Sequence, residues 1–365
     1  MQHWIAQPDE LADHLARWNT IDLLALDTEF IRERTWYPQL ALVQMVVPGH
    51  DVLLVDPTVP GIPEQLRTLL DNPAITLLMH SASEDVQALQ RGCGALPAPL
   101  FDTQIATALC GFGAGIGYQK LVETQLGIAL PKSETRSDWL HRPLSHAQLV
   151  YAADDVLHLH ALHAILRDKL RELGREQWLA EDCARLVANS SSEIPDRYPH
   201  LALRGAQYLD ADAQALLCRL LRWRELQARA GDRPKGWILD NELAIALARK
   251  PPIDARALHA FLDTQPKAPR KLRNELWNEL EQPLTAEERD IPLVQTPDSA
   301  HKKQLRALQD AVAIESTRLG LGDGVLASRR TLEALLDGNG WPTSLEGWRR
   351  PILEPLLRPI LETRD

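Results

Sequence analysis

In the stretch LLALDTEF (residues 23–30) an apolar run ends on two carboxylates. Leu23, Leu24 and Leu26 read as a strand buried on both faces. Side chains alternate along a strand, so Asp27 and Glu29 project from the same side. Acidic pairs at strand ends are most often just solvated. They also suit Mg²⁺ or Mn²⁺, which prefer hard oxygen ligands, provided that the chain supplies more acids. HSASEDVQALQ (80–90) follows the apolar segment ITLLM and opens a helix. Ser83, Glu84 and Asp85 fall in its first turn, where such residues commonly serve as caps or dipole partners. In YAADDV (151–156), Tyr151 and Asp155 are four apart and share a helix face, while Asp154 is rotated away. A DxE strand, an acid at a helix start and a YxxxD helix, in that order, would bring together four carboxylates and one phenol.

The elements around these residues alternate. LLALD, LALVQMVV and DVLLVD are three closely spaced strands, followed by a helix near PEQLRTLL and a further strand at ITLLM. That order predicts a mixed sheet flanked by helices, not a purely parallel one. From about residue 102 the pattern turns helical. SHAQLVYAADDVLHLHALHAILRDKL reads as one long amphipathic stretch with Ser145 as its N-cap. NSSSEIPDRYPH (189–200) reads as a linker, and beyond it the chain is all helix and turn. Leu216, Leu217, Leu220 and Leu221 recur at helical spacing until Gly231 and Pro234. Asp240 and Asp254 are expected N-caps, and Leu272, Leu276 and Leu280 lie on one further helix. RAGDRPKGWIL and RLGLGDGVL occupy comparable places in two helical units, a faint repeat.

Bulk properties narrow the class. A chain of 365 residues exceeds the size of a single growing core, so two or three domains are expected. The composition, 45% hydrophobic and 25% charged, is that of an ordinary soluble protein. No apolar run approaches a membrane span and MQHWIAQPDE lacks the regions of a signal peptide. Cys93, Cys110, Cys183 and Cys218 form no CxxC pair and read as buried thiols in a reducing, cytoplasmic compartment. Residues 1–200 hold 15 Lys/Arg against 26 Asp/Glu, a net of −11, while residues 201–365 hold 25 against 24. An acidic first half disfavours nonspecific nucleic-acid binding unless cations bridge carboxylates to phosphates.

DTEF (27–30), HSASED (80–85), KSETRSDWLHRPLS (132–145) and YAADDV (151–156) together resemble the ribonuclease D family. That family lies in the DEDD superfamily of 3′–5′ exonucleases, in the subgroup with tyrosine in its third motif. YPQLALVQM (37–45) and FDTQIA (101–106) are similar to it as well. The resemblance implies a ribonuclease H-like α/β domain over residues 1–200. It also implies Asp27, Glu29, Asp85 and Asp155 as ligands of two divalent ions, Mg²⁺ or Mn²⁺, with Tyr151 beside the attacking water. Two metals about 3.5–4 Å apart would clamp the attacking and leaving oxygens. With a reference pKa of about 10, Tyr151 is a poor base at neutral pH, so its expected role is to orient the nucleophile. The histidine subgroup would need His where this chain has Val150. His146, His158 and His160 are wrongly spaced for that role, and His160 with His163 lacks a third zinc ligand. GFGAGIG (111–117) follows no clear strand and reads as a flexible turn, not a dinucleotide fingerprint.

The second half resembles helicase-and-RNase-D C-terminal (HRDC) domains. LLRWRELQARAGDRPKGWILDNELAIALARKPP (220–252) carries the resemblance, and a diverged copy including VLASRRTLEALL follows. The expected all-α domains are 205–285 and 295–365. A helicase is excluded, since the chain has no GxxxxGK[ST] loop. Lys132, Arg136, Arg222, Arg224, Lys235 and Lys271 are candidate substrate contacts, although charged runs are usually solvated. The expected activity is 3′–5′ trimming of RNA, with transfer RNA precursors and other small structured RNAs as partners and nucleoside 5′-monophosphates as products. No membrane and no stable protein partner are expected. DNA 3′ ends and a non-catalytic nucleic-acid-binding role stay open as alternatives.

Overall fold

A computed structural model of the chain describes residues 2–18, 20–97, 99–131, 137–337 and 340–362. The chain forms two compact units. One holds residues 1–31, 38–192 and 300–365; the other holds 32–37 and 193–299.

The first unit is built on β1 (Gln2–Ile5), β2 (Leu23–Ile31), β3 (Gln39–Val46), β4 (Val52–Val55), β5 (Thr76–Met79) and β6 (Leu100–Asp102), in the order β1-β4-β3-β2-β5-β6. β2 pairs antiparallel with β3 and parallel with β5, so the sheet is mixed as its segment order predicts. β1 and β6 correspond to no strand expected from the sequence. QHWI has no apolar run, and it becomes a strand by pairing in parallel with β4. β4 is buried along its whole length, as are seven of the eight residues of β3, because helices cover both faces.

The helices of this unit are α1 (Pro8–Arg17), α2 (Ile62–Leu70), α3 (Ser83–Cys93), α4 (Thr103–Leu109), α5 (Tyr118–Leu126), α6 (His146–Leu157), α7 (Leu159–Leu173) and α8 (Glu176–Ser191). Gly92 sets how closely α3 approaches β3, since a Cβ there would lie 2.7 Å from Leu40 Cδ2. Ser145 caps α6 in a reciprocal capping box with Gln148.

The expected single helix over 146–170 is two helices, and a side chain explains the break. The His158 N–H would ordinarily bond to the Asp154 carbonyl. Instead Tyr118 places its hydroxyl between them, accepting from His158 N at 3.2 Å and donating to Asp154 O at 3.0 Å. A group inserted into the helical ladder is a recognised cause of such a break.

The second unit contains α9 (Ala211–Ala230), α10 (Lys235–Ile238), α11 (Asn241–Arg249), α12 (Ala255–Asp263), α13 (Arg273–Glu281) and α14 (Ala286–Arg289). Leu217, Leu220, Leu221, Leu243, Leu258 and Leu276 form its core. Asp240 and Asp254 cap α11 and α12 as expected. Segment 32–37 belongs here. The backbone N–H groups of Trp36 and Tyr37 both donate to Asp232 at 3.0 Å, and Arg229 and Lys235 lie over the Trp36 ring.

Helices α15 (Ser299–Leu319), α16 (Arg329–Leu336) and α17 (Arg350–Glu362) return the chain to the first unit. Their anchor lies just before α17. Arg349 makes a bidentate pair with buried Asp182 of α8 at 2.6 and 2.8 Å, and Trp348 stacks on Trp178 at 4.0 Å. Among the described residues, no helix is long and apolar enough to cross a membrane.

Candidate active site

The acids of β2 stand where the sheet meets α3 and α6. Alternation places Asp27 and Glu29 on one face and Thr28 on the other, and a bulge shifts the register after Glu29. α6 packs on β2, β3 and β4 and presents Tyr151 and Asp155 from successive turns. Among the described residues, Asp27, Glu29 and Asp155 offer carboxylate oxygens that all lie within 4.8 Å of one another. Asp85 joins by another route. It sits in the first turn of α3, buried, and accepts from the Thr28 hydroxyl at 2.5 Å. The residue between the two acids of β2 therefore ties the third acid to the same strand.

Burial and mutual repulsion dominate the electrostatics. Burial first, then Asp155 and Asp85, pushes Glu29 up to about 9. Burial, with Asp85, Asp155 and Glu29, raises Asp27 well above the ordinary carboxylate range. Burial raises Asp85 to about 6 against the opposing Thr28 hydrogen bond. It raises Asp155 to about 7, although the Tyr151 hydroxyl donates to this carboxylate. Tyr151 itself is pushed up by burial and by Asp155, so it stays a phenol and donates. It is half-buried, with the Trp139 ring 6.0 Å away.

Such like-charged, desolvated acids are what a divalent cation relieves. The donor set fits one: all ligand atoms are hard oxygens, and the charges acting on Glu29 are those of other acids. Asp154, next to the cluster in sequence, contributes its carbonyl to Tyr118 and lies outside the converging set.

Several positioning residues carried little sequence signal. Asp102 is fully buried. It caps α4 through Gln104 N and Ile105 N, and it also accepts from Ser81 N and Ala82 N, fixing the turn that leads into α3 and Asp85. Arg142 forms a bidentate pair with Asp56 at 2.7 and 2.8 Å and donates to the Trp139 and Ala41 carbonyls, fastening the loop before α6. Tyr118 ends α6 one turn after Tyr151 and Asp155. The FDTQIA resemblance includes Asp102 and the KSETRSDWLHRPLS resemblance includes Arg142, without marking what either does; nothing local marks Tyr118.

The candidate substrate contacts divide. Lys132 and Arg136 lie outside the described residues. Arg222, Lys235 and Lys271 are exposed in the second unit. Arg224 is not a surface cation: it is buried, and its guanidinium donates to the Leu239 carbonyl and to Asn241. It stands on the inner face of α9 beside Trp223, so its role is to hold the α9–α11 turn. His160 donates to the Val46 carbonyl and His163 packs edge-on against Phe101, which leaves both as packing residues. GFGAGIG is a turn between α4 and α5, with Gly111, Gly113 and Gly115 at positive φ.

A mixed sheet carrying DxE on one strand, an acid at a helix start and YxxxD on a packed helix defines a 3′–5′ exonuclease, and residues 2–171 match the 3'-5' exonuclease family. Ribonuclease D from Xanthomonas oryzae pv. oryzae is 53% identical over 365 residues, covering all of both chains. That from Pseudomonas paraeruginosa is 37% identical, covering 99% of this chain and 97% of its own. The crystal structure of Escherichia coli RNase D, described as an exoribonuclease involved in structured RNA processing, superposes with a TM-score of 0.85 at 28% identity over 99% of both chains. The catalytic core of RRP6 from Trypanosoma brucei shares the fold, at 19% identity and a TM-score of 0.58. The chain belongs to the ribonuclease D family and is a 3′–5′ exoribonuclease.

Proposed function

We propose that Asp27, Glu29, Asp85 and Asp155 hold two divalent cations, Mg²⁺ or Mn²⁺, and that Tyr151 orients the water that attacks the terminal phosphodiester. The convergence of Asp27, Glu29 and Asp155 oxygens within 4.8 Å carries this reading. When bound, the cations supply charge for the phosphoryl oxygens and lower the barrier to both attack and departure. The protein's own part is positional. Asp27 and Glu29 are fixed by the strand, Asp85 by Thr28, and Asp155 by α6 and the Tyr151 hydroxyl. Tyr151 keeps its proton and donates it in a hydrogen bond to Asp155, so its phenol oxygen is left to accept a hydrogen bond from the attacking water and orient it. Attack at the last phosphate from the 3′ end releases a nucleoside 5′-monophosphate. The test uses RNA and DNA oligonucleotides, each with a free or a blocked 3′ end, in Mg²⁺ or Mn²⁺. Release of 5′-monophosphates from free RNA ends alone fits the reading; cleavage of blocked ends contradicts it.

The substrates inferred are 3′ ends of transfer RNA precursors and other small structured RNAs, bound with help from HRDC domains at 205–285 and 295–365. The four cysteines are free and buried, which supports a reducing, cytoplasmic compartment. Arg222, Lys235 and Lys271 offer exposed charge in the second unit, whereas Arg219 is taken up by a bidentate pair with Glu288. Replacing Arg222, Lys235 and Lys271 with alanine should weaken binding to a tRNA-like RNA. It should also flatten the dependence of log affinity on log salt by about 0.7–0.9 for each phosphate that is no longer neutralised. An unchanged slope in a salt series would remove these residues from the RNA-binding surface.

A further inference from the structure

Gln44 is a polar side chain in the core of the sheet. It is fully buried, and neither its amide nitrogen nor its amide oxygen has a hydrogen-bond partner within the protein. Buried polar groups are nearly always paired, and each exception calls for a physical reason. The strand register supplies one. Gln44 of β3 stands directly opposite Asp27 of β2, and on its other side opposite Leu54 of β4. Opposed residues of an antiparallel pair share a face, with Cβ atoms about 4.5–5.5 Å apart. Gln44 therefore lies on the sheet face that carries Asp27 and Glu29. Leu42, the cross-strand partner of Glu29 on that face, is apolar and buried. Of these two neighbours, only Gln44 brings donors to the acids.

We propose that Gln44 is a positioning residue for Asp27: its amide N–H donates to the Asp27 carboxylate when that carboxylate ligates a cation, and fixes the orientation of the ligand. A ligating carboxylate is itself hydrogen-bonded in well-formed metal sites, and removing such a partner costs about 10–100-fold in metal affinity. A glutamine that only filled space here would be outdone by methionine, which has nearly the same shape and no amide to desolvate. The proposal rests on Asp27 being a ligand, and the experiment separates the two assignments.

Mn²⁺ binding to the full-length protein is titrated by calorimetry for the wild type, Gln44→Met and Asp27→Asn, with the melting temperature of each cation-free protein measured alongside. Gln44→Met should bind Mn²⁺ about 10–100-fold more weakly while its cation-free melting temperature stays level or rises. Asp27→Asn should lose more affinity than Gln44→Met. In the wild type, the Gln44 side-chain amide protons should exchange with solvent more slowly once Mg²⁺ is added, a readout that needs no variant to fold. Wild-type Mn²⁺ affinity in Gln44→Met, or amide exchange insensitive to Mg²⁺, overturns the role of Gln44 when Asp27→Asn has lost its affinity. Unchanged affinity in Asp27→Asn overturns both assignments together.

Discussion

Two kinds of buried or half-buried acid sit in the same compact unit, and they are treated in opposite ways. Asp182 is surrounded by donors: both Arg349 nitrogens, Arg185, and the Trp348 indole at 2.9 Å. Asp56 is similar. Burial alone would raise its pKa, but hydrogen bonds from Arg142 and Thr58 outweigh that and hold it below the ordinary value. Among the described residues, the cluster of Asp27, Glu29, Asp85 and Asp155 receives the Thr28 and Tyr151 hydroxyls and the backbone N–H groups of Thr28 and Asp85 but no cationic side chain, and its acids are all pushed upward. An acid that holds the fold together brings its cation with it in the chain. The clustered acids have no such partner, as the proposed cation site requires. The same arginine-rich chemistry was available to both, since Arg142 lies in the loop that leads to α6.

Neutralising one acid from each group should break the comparison most visibly. Asp155→Asn should reduce turnover by more than about 10³-fold, because several kcal/mol of transition-state stabilisation depend on the cation site. Its cation-free melting temperature should hold or rise, since a repulsive half-buried charge is gone. Turnover near the wild-type value would move the ligand role elsewhere on α6. Tyr151→Phe should slow catalysis by about 10²–10⁴-fold with little change in RNA affinity. Poor RNA binding with normal cleavage of bound RNA would make Tyr151 a substrate contact instead. Asp182→Asn should act with the other sign on stability. Breaking a buried ion pair costs about 3–5 kcal/mol, and the retained amide oxygen should keep the cost at the low end, as read by denaturant unfolding. Undiminished stability there would show that the Arg349 anchor is dispensable.

The two groups were also unequally legible in the sequence. The clustered acids follow local rules: alternation along a strand for Asp27 and Glu29, a helix start for Asp85, one helical turn between Tyr151 and Asp155. Each rule spans a few residues, so the site could be assembled on paper in chain order. The stabilising pairs obey no such rule. Asp56 meets Arg142 across 86 residues and Asp182 meets Arg349 across 167. Tyr118 breaks the 146–170 helix from 36 residues upstream, a contact that no periodicity announces. The Arg224 misreading has the same origin. Its arginine-rich helix reads as a charged surface, and only the fold turns that residue inward onto the Leu239 carbonyl. β1 was missed because it is a strand only by virtue of β4.

The central claim is that these four acids are uncompensated until a cation arrives, and proton linkage tests it directly. A carboxyl whose folded pKa is raised binds more protons folded than unfolded over the pH range between its two values, so stability falls as pH rises through that range. Starting from unfolded values of about 4, the range runs upward through Asp85 at about 6, Asp155 at about 7 and Glu29 at about 9. Melting temperatures would be measured from about pH 5 to about pH 9 with and without Mg²⁺, in the wild type and in Asp155→Asn. The wild type without cation should lose stability progressively across this interval. Mg²⁺ should restore more of it at the alkaline end than at the acid end, and Asp155→Asn should show a shallower fall and a smaller restoration. A Mg²⁺ increment that is absent, or equal at every pH, would contradict the account.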